Sequence, residues 1–426
     1  MLLRLAALVL LCLGVAPSAP RLASRVAPPA PPAPPAPPAP PAPLRVYSLR
    51  ADALARAKRR LASGDSSLRP AYDRLVREAA AALVAGPFSV MDKQRTPPSG
   101  DKHDYVSMGP YWWPDSTKPG GLPYVRRDGE RNPEIRRDYD ASRWGALSSA
   151  VGTLALAYYF SDDEKYAERA ARLLRVWFLD PGTRMNPNLR YGQRIPGIAE
   201  GRGAGIIETR SLVGLVDAIG MLERSPAWTD TAAGGMRSWM SAYLQWLRTS
   251  EIGKEERSAR NNHGTWYDAQ VAALALFTGD TALARATLEA SKTKRIGSQV
   301  MPDGRQPFEL VRTRSLAYSA MNLEGLCRLA ELGRQVGVDL WSYQSPDGGS
   351  IRNALDYVAP YAAAATRWPG QEITPIEPDW AVLLLARARL TYGEPRYGAL
   401  LREIPGDVVL SHRARLLYPD SDTTPE

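Results

Sequence analysis

Amphipathic helical segments follow one another along most of this chain, and strand-like alternation of apolar and polar residues is nearly absent. In ADALARAKRRLAS and LRPAYDRLVREAAAALVAG, for example, apolar residues recur at i, i+3 and i+4. About a dozen such segments occur, and most are paired by short turns that contain Gly, Pro or Asp. Helical hairpins in series form either an open solenoid or a closed ring. Because no fixed-period repeat is present, we predict an all-α fold, an α/α toroid formed by an incomplete barrel of hairpins around a cleft.

One long segment, residues 87–140, departs from the helical pattern. Pro, Gly and Asp crowd it, together with the aromatic residues Tyr105, Tyr111, Trp112, Trp113 and Tyr124. Loops of this length are usually functional or disordered, and the aromatic residues favour order. We expect the loop to lie over the cleft, where its rings either offer flat faces to a ligand or anchor the loop to the body.

The N-terminal region has the composition of an export signal and a spacer. Residues 1–23 carry one Arg before a short apolar stretch, which is typical of a secretory signal peptide and too short for a comfortable membrane span. Its cleavage site stays open, and a lipid anchor at Cys12 is the less favoured alternative. Residues 24–46 form a Pro/Ala-rich linker of polyproline II type. We expect the toroid at 47–403, a tail at 404–426, a periplasmic or secreted location, and no stable membrane insertion after processing.

The charge of the chain indicates an acidic partner. The formal net charge is +9, and the excess arginine is spread along the sequence without a nucleic-acid motif. Such a charge favours nucleic acid, anionic lipid or an acidic polysaccharide as partner, and the spread of arginine fits a lined cleft better than a nucleic-acid-binding face. The three histidines are far apart and lack metal-ligand spacing, so we predict no metal site and no cofactor, although a calcium ion on loop aspartates stays open. Cys327 reads as a buried thiol, and the oligomeric state is left open.

The segment NNHGTWYDAQ, residues 261–270, places hydrogen-bonding side chains directly before the apolar run VAALALF. Asn261, Asn262 and His263 begin the helix, where free N–H groups and the helix dipole suit an anion. Tyr267 lies on the same helix face as His263, and Trp266 is adjacent. The alternative is an Asn cap followed by a packed histidine.

A second polar line occurs in DGRQPFELVRTRSLAYSAMNLEGL, residues 303–326. Arg314, Tyr318 and Asn322 follow one another at i, i+4 spacing on a helix whose other face is apolar, and Arg312 precedes Tyr318 by about one turn. We expect the arginine charge to favour the phenolate form of Tyr318. A surface arginine stacked on a tyrosine is the alternative.

Three motifs together resemble those of the alginate lyase superfamily of exported polysaccharide lyases. They are HDYVSMGPYWWPD with RRDGERNPE, NNHGTWYDAQ, and ELVRTRSLAYSAMNLEGL, in the same order from about residue 50 to about 390. The resemblance implies an α/α toroid and cleavage by β-elimination. It implies that Asn262 and His263 neutralise the substrate carboxylate, that Arg312 assists, and that Tyr318 is the catalytic tyrosine. Arg314 is an alternative to Arg312.

The chemistry of a 4-linked uronate explains these residue types. The C5 proton becomes acidic when donors offset the C6 carboxylate charge, and in mannuronate or glucuronate one tyrosine serves as base and acid in a syn elimination. We therefore predict Tyr318, His263, Asn262 and Arg312 as catalytic residues. The predicted substrate-binding residues are Asn261, Arg314, Tyr267, Trp266, His103, Tyr105, Trp112, Trp113 and Asn322, and Asn132 and Glu134 are further candidates.

Two other functions stay open at this point. An inverting glycoside hydrolase on the same toroid needs two carboxylates roughly 6.5–9.5 Å apart, and the candidates are Asp104, Asp268, Glu309 and Glu377. A non-catalytic glycan-binding protein of the cell envelope needs the aromatic residues but not Tyr318 beside Arg312. For a lyase, the sequence leaves open whether polymannuronate (alginate) or glucuronan is cut, and whether action is endo or exo. Poly-guluronate is expected to be a poor substrate.

Overall fold

The structure is a computed structural model that describes residues 44–363 and 366–420. The expected signal peptide and nearly all of the expected linker, up to residue 43, lie outside the described residues. The first eight helices are α1 (Ala51–Ala62), α2 (Arg69–Val84), α3 (Ala141–Ser161), α4 (Glu164–Leu174), α5 (Leu212–Leu222), α6 (Asp230–Thr249), α7 (Glu251–Ser258) and α8 (Asn262–Thr278). They are followed by α9 (Thr281–Ser291), α10 (Pro307–Leu310), α11 (Ser315–Arg334), α12 (Ile351–Val358), α13 (Asp379–Tyr392), α14 (Pro395–Glu403), α15 (Gly406–Ser411) and α16 (Ala414–Leu417).

The helices pack as successive hairpins around a ring, so the predicted all-α toroid is confirmed. Helix α3 packs against α2, α4 and α5, and α8 packs against α5, α6, α9 and α11. Residues of α3, α5, α8 and α11 line the central cleft, so these four are the inner helices. The burial of α8 agrees with an inner position: every residue from Thr265 to Phe277 is buried, and a helix that is covered on all sides lies in the interior of a fold.

The ends of α8 are set by local sequence. The side chain of Asn261 accepts a hydrogen bond from the main-chain N–H of His263, which satisfies one of the free donors at the helix start. The helix ends at Gly279, whose φ of 91° is the left-handed conformation that glycine adopts without strain. These two residues fix the point at which the chain turns from the cleft into the core.

The long segment 87–140 is ordered and carries short strands. Strand β1 (Val106–Met108) pairs in parallel with β4 (Tyr191–Arg194), and β2 (Trp112–Trp113) pairs antiparallel with β3 (Val125–Arg126). Val106, Met108, Tyr139 and Tyr191 form a small apolar cluster beneath the loop. This cluster and the strand pairs hold the β2–β3 hairpin at the cleft, where Tyr111 and Trp112 are part of the lining.

The expectation of a tail from residue 404 is wrong for residues 404–420. Helices α15 and α16 pack against α2 and α13, and Leu416, Leu417 and Tyr418 are buried. The apolar side chains of this segment gain free energy by leaving water. At the other end the body begins before residue 47, because Val46 is also buried. In the part of the chain that the structure describes, no helix is long and apolar enough to cross a membrane.

Candidate active site

The cleft inside the ring has a volume of about 1030 Å³. Seven of the predicted residues line it, namely Trp112, Asn261, His263, Trp266, Arg312, Arg314 and Tyr318. His263 and Tyr318 are 55 positions apart in sequence, and the packing of α8 against α11 brings both to this cavity. The two motifs therefore contribute to one site.

His263 is oriented by a buried carboxylate. Its Nδ1 lies 2.7 Å from Oε1 of Glu256, and the two side chains are 21% and 3% exposed. A carboxylate at Nδ1 fixes the orientation of the ring. Nε2, on the far side of the ring, is the nitrogen that can contact a ligand in the cleft.

The guanidinium of Arg312 lies over the ring of Tyr318. The guanidinium carbon is 3.8 Å from the ring centre, and the carboxylate of Asp128 holds the guanidinium through Nη2 at 2.7 Å and Nε at 3.1 Å. Asp128 belongs to the loop after β3, so this loop is tied to the N-terminal end of α11. Arg314, the alternative assisting arginine, forms an ion pair with Glu372 at 3.5 Å instead.

The hydroxyl of Tyr318 donates a hydrogen bond of 2.6 Å to the hydroxyl of Tyr111. The pKa of Tyr318 is raised above its ordinary value, although Arg312 acts on it in the expected direction. Burial is the largest cause, and Tyr111 adds to it. Arg312 lowers this pKa but does not outweigh them, since Asp128 offsets part of its charge. Any base function of Tyr318 therefore requires that its phenol proton be lost before the C5 proton is taken.

Asn262 does not reach the cleft. It is fully buried, and both its main-chain N–H and its Nδ2 donate 2.7 Å hydrogen bonds to the carboxylate of Glu309. The prediction that its amide faces the substrate carboxylate therefore does not fit this geometry. Burial raises the pKa of Glu309, while these bonds to Asn262 act against it. Asn262 and Glu309 together fix the start of α8, on which His263 stands.

Three side chains that were predicted to bind substrate form hydrogen bonds inside the core instead. The hydroxyl of Tyr105 donates to Glu208 at 2.7 Å, and that of Tyr267 donates to the carbonyl of residue 247 at 3.0 Å. Asn322 donates to two glutamine side chains at 2.8 and 2.9 Å. All three residues are buried, because their polar groups find partners inside the fold.

The remaining loop candidates shape the loop. Nδ1 of His103 lies 2.6 Å from the carbonyl of residue 184, and Nε1 of Trp113 donates to the carbonyl of residue 130 at 3.0 Å. Asn132 donates to the carbonyl of residue 112 at 2.8 Å, and Glu134 accepts a bond from Tyr124 at 2.9 Å. None of these four is among the residues that line the cleft.

The carboxylate pair of an inverting hydrolase is not assembled. Asp104 accepts bonds from two asparagines, Asp268 from Arg295 at 2.6 Å, and Glu309 from Asn262, while Glu377 is exposed. Among the described residues, the cleft lining contains one carboxylate, Glu208. An inverting mechanism requires two. The described residues likewise contain no group of three or more His, Cys, Asp or Glu side chains that would hold a metal ion.

Sequence reasoning missed several residues that complete the site. Glu256, Asp128, Arg202 and Arg210 were not singled out, and Tyr111 was named only as one of several loop aromatics. Tyr111 and Asp128 do lie in the quoted motif segments, so the motifs contained a signal for them. Arg202 directly precedes the 3₁₀ segment Gly203–Ser211 and Arg210 lies in its last turn, so α-helical spacing did not predict their orientation.

Comparison with known proteins gives one consistent result. The family model "Alginate lyase" matches residues 89–368. The crystal structure of an alginate lyase from Bacteroides ovatus is 42% identical, covers 88% of this chain and 99% of its own, and has a TM-score of 0.83. Two variants of alginate lyase A1-III complexed with tetrasaccharide, one with His replaced by Ala and one with Tyr replaced by Phe, are 16% identical, cover 90% of this chain and 98% of their own, and share the fold with TM-scores of 0.58. Among curated proteins, none matches.

Proposed function

We propose, from the premise that this chain belongs to the alginate lyase family and is a polysaccharide lyase, that it cleaves a 4-linked polymer of mannuronate or glucuronate by syn β-elimination. The product would carry a C4=C5 double bond at its new non-reducing end. The alginate lyase relative from Bacteroides ovatus supports polymannuronate as the first substrate to test. The positive lining of the cleft supports a polyanion in general.

The first requirement of the reaction is to offset the charge of the C6 carboxylate. His263 meets it when protonated, because Nδ1–H then donates to Glu256 and Nε2–H is free to donate to the substrate. Arg312 adds positive charge at the same cavity. Asn262 does not contact the substrate in this scheme. Its bonds to Glu309 position the start of the helix that carries His263.

Tyr318 performs the proton transfers. Tyr318 first loses its phenol proton to solvent. The phenolate oxygen then takes the C5 proton, the C5–H electron pair forms the C4=C5 bond, and the C4–O4 bond breaks. The departing O4 takes this proton from Tyr318, which returns to the phenolate. Arg312 on the ring face stabilises the phenolate. In mannuronate and glucuronate the C5 proton and O4 lie on one side of the ring, which is why one hydroxyl serves both steps.

The observation that carries this proposal is the position of Tyr318, with Arg312 at 3.8 Å from its ring centre, in the same cleft as the Glu256-bound His263. The test is Tyr318→Phe, assayed by ultraviolet absorbance of the new double bond on polymannuronate, poly-guluronate, glucuronan and hyaluronan. Loss of an acid–base group should lower kcat by about 10²- to 10⁴-fold. Tyr343→Phe, outside the cleft lining, is the matched control.

Distinct outcomes separate the alternatives. Full activity of Tyr318→Phe would refute the assignment of the base. If poly-guluronate is cut as efficiently as polymannuronate, a purely syn mechanism is refuted, because the geometry of guluronate requires an acid and a base on opposite faces of the sugar. Saturated products, identified by mass spectrometry through the added water, would favour hydrolysis. We further propose, from residues 1–23, that the protein acts outside the cytoplasm, which cell fractionation tests.

A further inference from the structure

Two different helices carry the residues of the pair that orients His263. Glu256 lies on α7, His263 lies in the first turn of α8, and residues 259–261 connect the two helices. The 2.7 Å contact between Oε1 of Glu256 and Nδ1 of His263 therefore depends on how this short connection is fixed. A displacement of about 1 Å in such a geometry is enough to reduce catalysis strongly.

The side chain of Arg295 binds the end of α7 with two of its nitrogens. Nη1 donates to the carbonyl of Ala259 at 2.7 Å, and Nη2 donates to the carbonyl of Arg257 at 2.9 Å. The last carbonyl groups of a helix lack partners within the helix and lie at the negative end of its dipole. A guanidinium is therefore a favourable partner there, and the two bonds fix the main chain directly after Glu256.

The third nitrogen of the same guanidinium bonds to α8. Nε of Arg295 donates to Oδ2 of Asp268 at 2.6 Å, and the two side chains are 4% and 9% exposed. Burial raises the pKa of Asp268, while the charge of Arg295 and its hydrogen bond act against this rise. Arg295 thus ties the end of α7 to α8 at a place from which solvent is largely excluded.

The close approach of Arg295 to α8 requires a glycine next to His263. A methyl group at Gly264 would lie 2.1 Å from the carbonyl oxygen of residue 259 and 2.1 Å from Nη1 of Arg295. Only glycine leaves room for both groups. Gly264 and Asp268 of the segment NNHGTWYD therefore share a role, because both border the same guanidinium.

Arg295 acts from outside the cleft. It lies in a π-helical segment, Lys292–Gly297, that follows α9, and it is not among the described residues that line the cavity. Its three nitrogens bond to α7, to α8 and to the connection between them. Its effect on the reaction centre is therefore transmitted by these two helices and does not require contact with a ligand.

We propose that Arg295, anchored by Asp268, is a positioning residue for the candidate active site: it fixes the connection between α7 and α8, so that Glu256 keeps His263 oriented. The proposal deepens the proposed function and rests on it for its effect on turnover, because His263 is taken there to offset the substrate carboxylate. A loosened connection leaves the other cleft residues in place but lets the imidazole turn. The loss should therefore appear mainly in kcat, with little change in KM.

A double-mutant cycle on polymannuronate separates positioning from general stability. Arg295→Lys keeps the charge, but an ammonium group does not reproduce the planar fork that reaches three acceptors, and kcat should fall about tenfold. In a Glu256→Gln background, where the imidazole has already lost its carboxylate, the same change should lower kcat by less than about twofold. Arg50→Lys is the matched control. Arg50 is also largely buried and bonds to Glu331 and Thr391, and it lies outside the cleft lining, so kcat should stay within about twofold of the parent.

Proton NMR of the free protein measures the same contact without turnover. A short hydrogen bond from an imidazole N–H to a carboxylate gives a resonance far downfield, and its disappearance in Glu256→Gln assigns it to His263. Nδ1 of His103 lies against a carbonyl, and Nδ1 of His412 accepts a bond from a main-chain N–H, so neither competes for the assignment. The resonance should broaden or move upfield in Arg295→Lys and stay unchanged in the control.

Each outcome decides the proposal. A tenfold loss that recurs in the Glu256→Gln background would show that Arg295 only stabilises the fold, and either an unchanged kcat or an unchanged resonance in Arg295→Lys would also overturn the proposal. Thermal melting identifies a variant that does not fold. Asp268→Asn, which keeps the size of the anchor and removes its charge, then replaces Arg295→Lys in both experiments with the same expected pattern.

The proposed function is judged separately, by cleavage of polymannuronate in the parent and its loss in Tyr318→Phe. A parent that cleaves no uronate polymer refutes the proposed function, and the resonance in the free protein still decides whether Arg295 positions His263. A parent that cleaves, with no coupling between Arg295 and Glu256, refutes the positioning role alone.

Discussion

Replacing Asp128 by Asn tests how the loop positions the candidate active site. The carboxylate of Asp128 accepts bonds from Arg312, from the main-chain N–H of Thr313 at 3.2 Å, and from Arg126 at 2.6 Å. Asn keeps the shape but loses the negative charge. The change therefore weakens the tie between the β2–β3 loop and the start of α11, and it frees the guanidinium that lies on Tyr318.

The size of the effect follows from the ionisation of Asp128. Burial acts to raise its pKa, but the bonds from Arg312 and Thr313 outweigh it and lower the pKa from 3.8 to about 2. At about 1.4 kcal/mol per pH unit this corresponds to about 2.5 kcal/mol. Screening of a partly exposed carboxylate reduces it to about 1–2 kcal/mol. Because the folded-state pKa is depressed, this stabilisation is present above the unfolded value of about 4 and is lost as the pH falls toward 2.

Urea unfolding and steady-state kinetics measure the two consequences. At pH 7, Asp128→Asn should lose about 1–2 kcal/mol of unfolding free energy, and the difference from the parent should shrink as the pH falls below 4. The value of kcat/KM should fall about tenfold or more, because Arg312 is no longer fixed on Tyr318. Asp347→Asn, at an exposed position, is the matched control. Unchanged stability and kcat/KM in Asp128→Asn would refute the role given to this contact.

Three further changes test other parts of the structure. Tyr111→Phe removes a group that raises the pKa of Tyr318, so the rising limb of kcat/KM against pH should move to lower pH; a limb that stays or moves up would contradict this. Arg387→Met breaks the ion pair of the fully buried Arg387 with the partly exposed Glu324, which has bonds of 2.6 and 3.1 Å, and should cost about 3 kcal/mol in urea unfolding, whereas a loss below about 1 kcal/mol would show the pair to be dispensable. Gly201→Ala would place a methyl group 1.9 Å from a carbonyl oxygen and should cost about 1–3 kcal/mol; Gly234→Ala, where nothing lies within 4 Å, should not destabilise the fold.

Helix α11 shows which features of the site could be predicted from the sequence and which could not. Of the i, i+4 series of Arg314, Tyr318 and Asn322, the last two were correctly placed on one helix, because helical spacing is a local property, whereas Arg314 is the non-helical N-cap residue just before it. The structure divides the series: Arg314 and Tyr318 line the cleft, while Asn322 is buried among glutamine side chains. Spacing identifies a shared face, but only the neighbouring helices decide where along that face the cavity ends.

The sequence by itself determined the all-α class, the ring of hairpins, the start of α8 at Asn261, and the His263 and Tyr318 motifs, since helix periodicity and capping depend on residues within a few positions of each other. Only the tertiary structure decided which polar side chains face the cleft. Arg312 meets Asp128 across 184 positions and Tyr318 meets Tyr111 across 207. Such contacts depend on how distant segments pack, and this packing turned Asn262 inward onto Glu309 and gathered Arg131, Arg202 and Arg210 at the cavity.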